Sequence, residues 1–71
     1  MSLTIEEKNI LRKALELEEH GVLDWEWWMI GVHPAKLMRL VDKGLIVVTS
    51  RKKTLKYRLA DKERVKVLIN E

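Results

Sequence analysis

Cysteine and glutamine occur nowhere in the 71-residue chain, and asparagine only at Asn9 and Asn70. Without cysteine there is no disulfide and no thiolate metal site, so helix and sheet packing must hold the fold, as suits a reducing compartment. Long apolar runs are missing too. The longest are "WWMI" and "LIVV", against the roughly 20 residues that a bilayer span requires, and the N-terminus has no apolar signal-peptide region. A soluble, cytoplasmic protein without membrane contact is expected. The materials of catalysis are equally sparse: His20 and His33 stand far apart with no HxxxH spacing, Ser2 and Ser50 have no neighbouring His and Asp, and the three glycines form no phosphate-binding loop. The expectation is a protein that is not an enzyme and carries no metal and no cofactor.

What the chain does have is charge, unevenly divided. Residues 1–33 hold three Lys/Arg against seven acids, a balance of −4, and residues 34–71 hold eleven against four, a balance of +7. An acidic first half joined to a basic second half predicts that one surface meets a polyanion while another faces solvent or a partner. The length implies a single domain, 1–71, and so small a domain buries only about 60% of its unfolded surface. Its core must come from Leu, Ile, Val, Met and Trp.

The elements follow from periodicity and punctuation. Thr4 with Glu7 three residues on is a capping box, Gly21 is a stop, and Ile10, Leu11, Ala14 and Leu15 form one apolar stripe between them, predicting a helix over about 5–20. Asp24 is placed to cap a short helix over 25–30, which Gly31 ends. "GVHP" then makes a tight connection, with Pro34 at the first position of a third helix over 34–43 that Gly44 closes. "LIVVTS" and "LKYRLA" read as an antiparallel hairpin around the basic tip "RKKT", with Leu55, Tyr57 and Leu59 on one face and Lys56 and Arg58 on the other. Asp61 can cap a last helix, "KERVKVLINE", with Val65, Leu68 and Ile69 on one side.

This order resembles the winged helix-turn-helix superfamily across essentially the whole chain, most clearly in "GVHPAKLMRLVDKGLIVVTSRKKTLKYRLA". The resemblance implies an α+β fold: a small winged helix-turn-helix domain with a three-helix core, a β-hairpin wing and a C-terminal helix. It also implies double-stranded DNA as partner, for a small transcription regulator or the DNA-binding part of a larger nucleic-acid protein. The helix at 34–43 would enter the major groove and the wing at 50–54 would touch the backbone. At about 100° per residue, Lys36, Arg39 and Lys43 share an arc of about 60°, away from Leu37, Leu40 and Val41. His33, Lys36 and Arg39 occupy the helix end that meets base edges. Ser50, Arg51, Lys52, Lys53 and Thr54 supply mobile phosphate contacts, joined by Lys56 and Arg58. The third helix is short, carries Asp42 beside its basic stripe and has no Asn or Gln, which favours backbone- or shape-led binding over close base reading.

"WEWWMI" is apolar nearly all round when wound as a helix, whereas a peripheral helix buries one side. One or two of Trp25, Trp27 and Trp28 are therefore expected to stay exposed and meet another protein surface. The alternative function is a winged-helix protein-interaction module using this Trp-rich helix, with a homodimer or another protein docking there or on the C-terminal helix.

Overall fold

In the computed structural model, which describes residues 3–70, the chain runs α1 (Ile5–Glu19), α2 (Trp27–Ile30), α3 (Pro34–Asp42), β1 (Ile46–Ser50), β2 (Lys56–Leu59) and α4 (Lys62–Ile69). This is an α+β domain of four helices and a two-stranded antiparallel hairpin among the described residues. None of these helices is long and apolar enough to cross a membrane.

The capping box opens α1 as its sequence requires: Thr4 Oγ1 accepts from the Glu7 amide at 3.1 Å, and Glu7 Oε1 accepts from the Thr4 amide at 3.0 Å. The buried stripe comprises Glu7, Ile10, Leu11, Ala14, Leu15 and Glu18, so two acids lie on the side that faces the core. Leu17, off that stripe, is half-buried against the core. The helix stops one residue short of the expected 5–20. His20 is its C-cap, and the His20 ring nitrogen Nδ1 lies 2.7 Å from the Glu16 carbonyl.

The second helix departs further from expectation. Asp24 does not cap it. Asp24 takes φ 55°, in the left-handed region, and the next residue, Trp25, is extended and bridges Tyr57, whose amide donates to the Trp25 carbonyl at 2.8 Å. Pairing of Trp25 with the hairpin therefore displaces the helix start to Trp27, with Glu26 as N-cap. Gly31, at φ 65° and ψ 34°, reverses the chain, and His33 caps α3 by accepting from the Ala35 amide through Nδ1 at 3.0 Å. Pro34 takes the first helical position. Helix α3 ends at Asp42, and Lys43 is its C-cap rather than its last residue.

In the hairpin, Ile46 faces Leu59, Val47 faces Arg58, Val48 faces Tyr57 and Ser50 faces Lys56, with an irregularity between Val48 and Ser50. Ile46, Tyr57 and Leu59 point to the core, as the alternation predicts, and Val47 and Lys56 point out. Helix α4 begins at Asp61, whose Oδ1 accepts from the amides of Glu63 and Arg64 at 3.1 and 3.2 Å. It ends at Ile69 with Asn70 as C-cap; Glu71, expected to continue it, lies outside the described residues, as does Ser2. Arg12 ties the two terminal helices together by donating from Nη2 to the Ile69 carbonyl at 3.1 Å.

Trp25, Tyr57, Leu11, Leu37, Leu40, Leu45, Ile46 and Val65 are the fully buried centre. Trp25 stacks on Tyr57 with ring centroids 5.5 Å apart and planes inclined by 26°. Its indole Nε1 donates to the buried Glu18 Oε2 at 2.8 Å, and the same oxygen accepts from the Leu59 amide at 2.7 Å. One carboxylate thus joins α1, the Trp25 bridge and β2, with Lys62 Nζ 3.9 Å from its other oxygen. Removing a buried Trp of this kind costs about 3–5 kcal/mol, about as much as a core this small supplies.

Candidate nucleic-acid interface

One cationic cluster stands on the exposed side of α3 and another at the hairpin tip, and α3 packs on β1 of that hairpin. Their electrostatic settings differ. On α3, Leu37 and Leu40 are buried, and the exposed side carries Ala35, Lys36, Met38, Arg39 and Asp42. Lys36 and Lys43 turn toward α1 rather than straight to solvent. Lys36 Nζ donates to Glu6 Oε2 at 2.9 Å and Lys43 Nζ to Glu7 Oε2 at 2.7 Å. The expected stripe of three cations is therefore two ion pairs and a single unpaired group, Arg39, which has no acid within ion-pair distance among the described residues.

The Glu7–Lys43 pair is the more sheltered of the two, with the carboxylate side chain only 11% exposed and the lysine 34%. The Lys43 ammonium, followed by the Thr4 amide, holds the Glu7 carboxyl below its ordinary range. Glu7 serves two structures at once, the cap of α1 and the anchor of the α3 terminus. The Lys36–Glu6 pair is half-exposed on both sides, where such pairs contribute about 0–1 kcal/mol.

His33 is exposed, and its Nδ1 is engaged in accepting from the Ala35 amide as the α3 cap. At the hairpin tip Arg51, Lys52, Lys53 and Thr54 are exposed and Ser50 is half-buried. None of these three cations, nor the exposed Lys56, has an acid within ion-pair distance among the described residues. Ser50, Lys52, Lys53, Thr54 and Lys56 line one open hollow. Arg58 is different: its Nη2 donates to Asp24 Oδ1 at 3.1 Å, so the left-handed turn residue neutralises it.

The three tryptophans separate cleanly. Trp25 is fully buried, so the expectation that it meets a partner is corrected; its surface is consumed by Tyr57 and Glu18. Trp27 is 44% exposed, Trp28 58% and Met29 41%, and only Ile30 of α2 is buried. Trp28 Nε1 donates to Glu26 Oε2, while Glu26 Oε1 accepts from Thr54 Oγ1 of the hairpin tip. These bonds, from Thr54 first and Trp28 second, hold the Glu26 carboxyl below its ordinary range, and the nearby Lys56 charge acts the same way.

Among the described residues no three His, Cys, Asp or Glu side chains gather as a metal site. Comparison of the chain with protein-family models, with curated proteins and with solved structures returns no match.

The residues around the candidate site that its sequence pattern did not single out are the acids. Glu6, Glu7, Glu18, Asp24 and Glu26 decide which cations and which indoles remain available. For Glu18 a signal existed: it stands three, four and seven residues after Leu15, Ala14 and Leu11, on the buried stripe itself.

Proposed function

We propose that the chain is a winged helix-turn-helix module that binds double-stranded DNA in the cytoplasm, with the wing at 50–54 on the phosphate backbone and α3 against the major groove. Element order supports the fold: α1, the Trp25 bridge, α2, the tight turn into α3, then the hairpin, with Trp25 paired to β2 as a one-residue third strand. The observation that carries the function is the tip, where Arg51, Lys52 and Lys53 stand exposed without an acidic partner among the described residues. Mobile unpaired cations on an exposed loop are what counterion-releasing phosphate contact requires.

Helix α3 plays the lesser part in this reading. Arg39 is its one unpaired cation among the described residues, and a lone Arg can read at most one guanine through O6 and N7. Binding is then led by backbone and shape, the behaviour of a small regulator or of the DNA-holding part of a larger protein. The test is the affinity for a short duplex as a function of salt. With Arg39, Arg51, Lys52, Lys53 and Lys56 as the available cations, the log–log slope is about −4.5. A flat response, or no binding at low salt, overturns the reading.

A second reading has its own observation, the exposed apolar group Trp27, Trp28 and Met29, of the kind that marks a protein interface. On α4, Val67 is 61% exposed and offers a smaller apolar contact. Sedimentation of the wild type over a range of concentrations checks self-association through either surface.

A further inference from the structure

We propose that the exposed indole of Trp28 is a stacking platform for an unpaired nucleobase, so that the chain binds single-stranded nucleic acid across α2 and the wing. The inference rests on the DNA-binding reading of the wing and goes beyond it in the class of ligand.

Trp28 is the most exposed of the three tryptophans, yet its ring is held in place. Its Nε1 donates to Glu26 Oε2, and the other oxygen of that carboxylate accepts from Thr54 Oγ1. Thr54 also lines the hollow of the wing with Ser50, Lys52, Lys53 and Lys56. A flat aromatic plate and a cationic hollow are therefore joined through one carboxylate. The backbone reinforces the link, because Tyr57 N donates to the Trp25 carbonyl at 2.8 Å beside the same strand. Proteins that bind single strands without sequence preference combine these two parts, a positive groove that follows the phosphates and a ring on which a base stacks.

Charge complementarity selects a nucleic-acid strand over a protein as the occupant. Trp28 connects through Glu26 and Thr54 to the hollow lined by Lys52, Lys53 and Lys56, none of them paired with an acid among the described residues, and a polynucleotide spanning both satisfies the plate and the cations together. Glu26 is a carboxylate in the way. Both its oxygens already accept hydrogen bonds, and Lys56 offsets its charge. Bases inside a duplex are stacked on one another and present no face to the indole, so the contact belongs to unpaired nucleotides.

The experiment measures fluorescence anisotropy of an oligothymidylate of about 12 nucleotides, within the site size of single-strand binders, and of a duplex of similar length. It compares wild type, Trp28→Ala and Trp28→Phe, with circular dichroism confirming that the variants fold. Loss of base stacking in Trp28→Ala weakens oligothymidylate binding about tenfold and duplex binding less than about twofold, and Trp28→Phe keeps most of the affinity. Unchanged oligothymidylate binding by Trp28→Ala overturns the inference while salt-dependent duplex binding preserves the function proposed above. Unchanged oligothymidylate binding with lost self-association in sedimentation overturns it in favour of a protein interface. Absence of binding to either nucleic acid at low salt overturns both.

Discussion

The hairpin tip and the exposed side of α3 carry the same kind of charge, and the tip leaves more of it unpaired. Lys36 and Lys43 are paired with Glu6 and Glu7 from α1, whereas Arg51, Lys52 and Lys53 project from the hairpin with no acid within ion-pair distance among the described residues. A helix packed in the domain shares its borders with its neighbours, and an acidic neighbour neutralises those borders. At the hairpin tip the acid that reaches in, Glu26, bonds Thr54 and leaves the three cations unpaired. Positive charge counted along a sequence is thus an upper bound on the positive charge that a polyanion meets, and the bound is approached where the chain leaves the body of the fold.

The largest expected effect tests the free side of this comparison. Replacing Arg51, Lys52 and Lys53 together by Ala removes about three phosphate contacts, which lowers duplex affinity about 10²-fold at low salt in an anisotropy titration. Within α3 the comparison sharpens. Arg39→Ala, losing the unpaired cation, weakens duplex binding about tenfold, and Lys36→Ala, losing a cation already paired to Glu6, does so by less than about threefold. Equal losses for the two would mean that DNA displaces Glu6 and recruits Lys36.

The paired side predicts a pH dependence. The folded state holds the Glu7 carboxyl below its ordinary range, so this pair contributes stability above the ordinary carboxylate range and loses it as pH falls through the lowered folded value. Glu7→Gln keeps an oxygen for the Thr4 cap but gives up the charge opposite Lys43. Its melting temperature lies below that of wild type at neutral pH, and the gap closes in acid, as followed by circular dichroism. The smallest effect comes from the exposed pair: Glu6→Gln releases Lys36 and raises duplex affinity up to about threefold, in keeping with a surface ion pair.

The parts of this arrangement legible in the sequence are those governed by neighbours within a few residues. The Thr4–Glu7 capping box, the Gly31 reversal, Pro34 at the start of α3, the hairpin alternation and the Asp61 cap all follow local rules, and each is present in the fold. Asp24 shows where local rules give way. It has the chemistry of an N-cap, but Trp25 gains burial, a stacked Tyr57 and a buried hydrogen bond to Glu18 by joining the hairpin, and the helix starts two residues later than local chemistry dictates. The candidate site was hidden for the same reason. The partners of Lys36 and Lys43 lie 30 and 36 residues away, and the partner of Arg58 lies 34 away, beyond any spacing rule. The wing tip was legible because nothing distant touches its cations.

The most direct measurement is the salt dependence of duplex affinity for three proteins side by side: wild type, Arg51/Lys52/Lys53→Ala, and Lys36/Arg39→Ala. If the wing carries the phosphates and α3 contributes Arg39 alone, the log–log slope shrinks by about 2.7 in the wing variant and by about 0.9 in the helix variant. Equal reductions, or a larger one for the helix variant, would contradict the account.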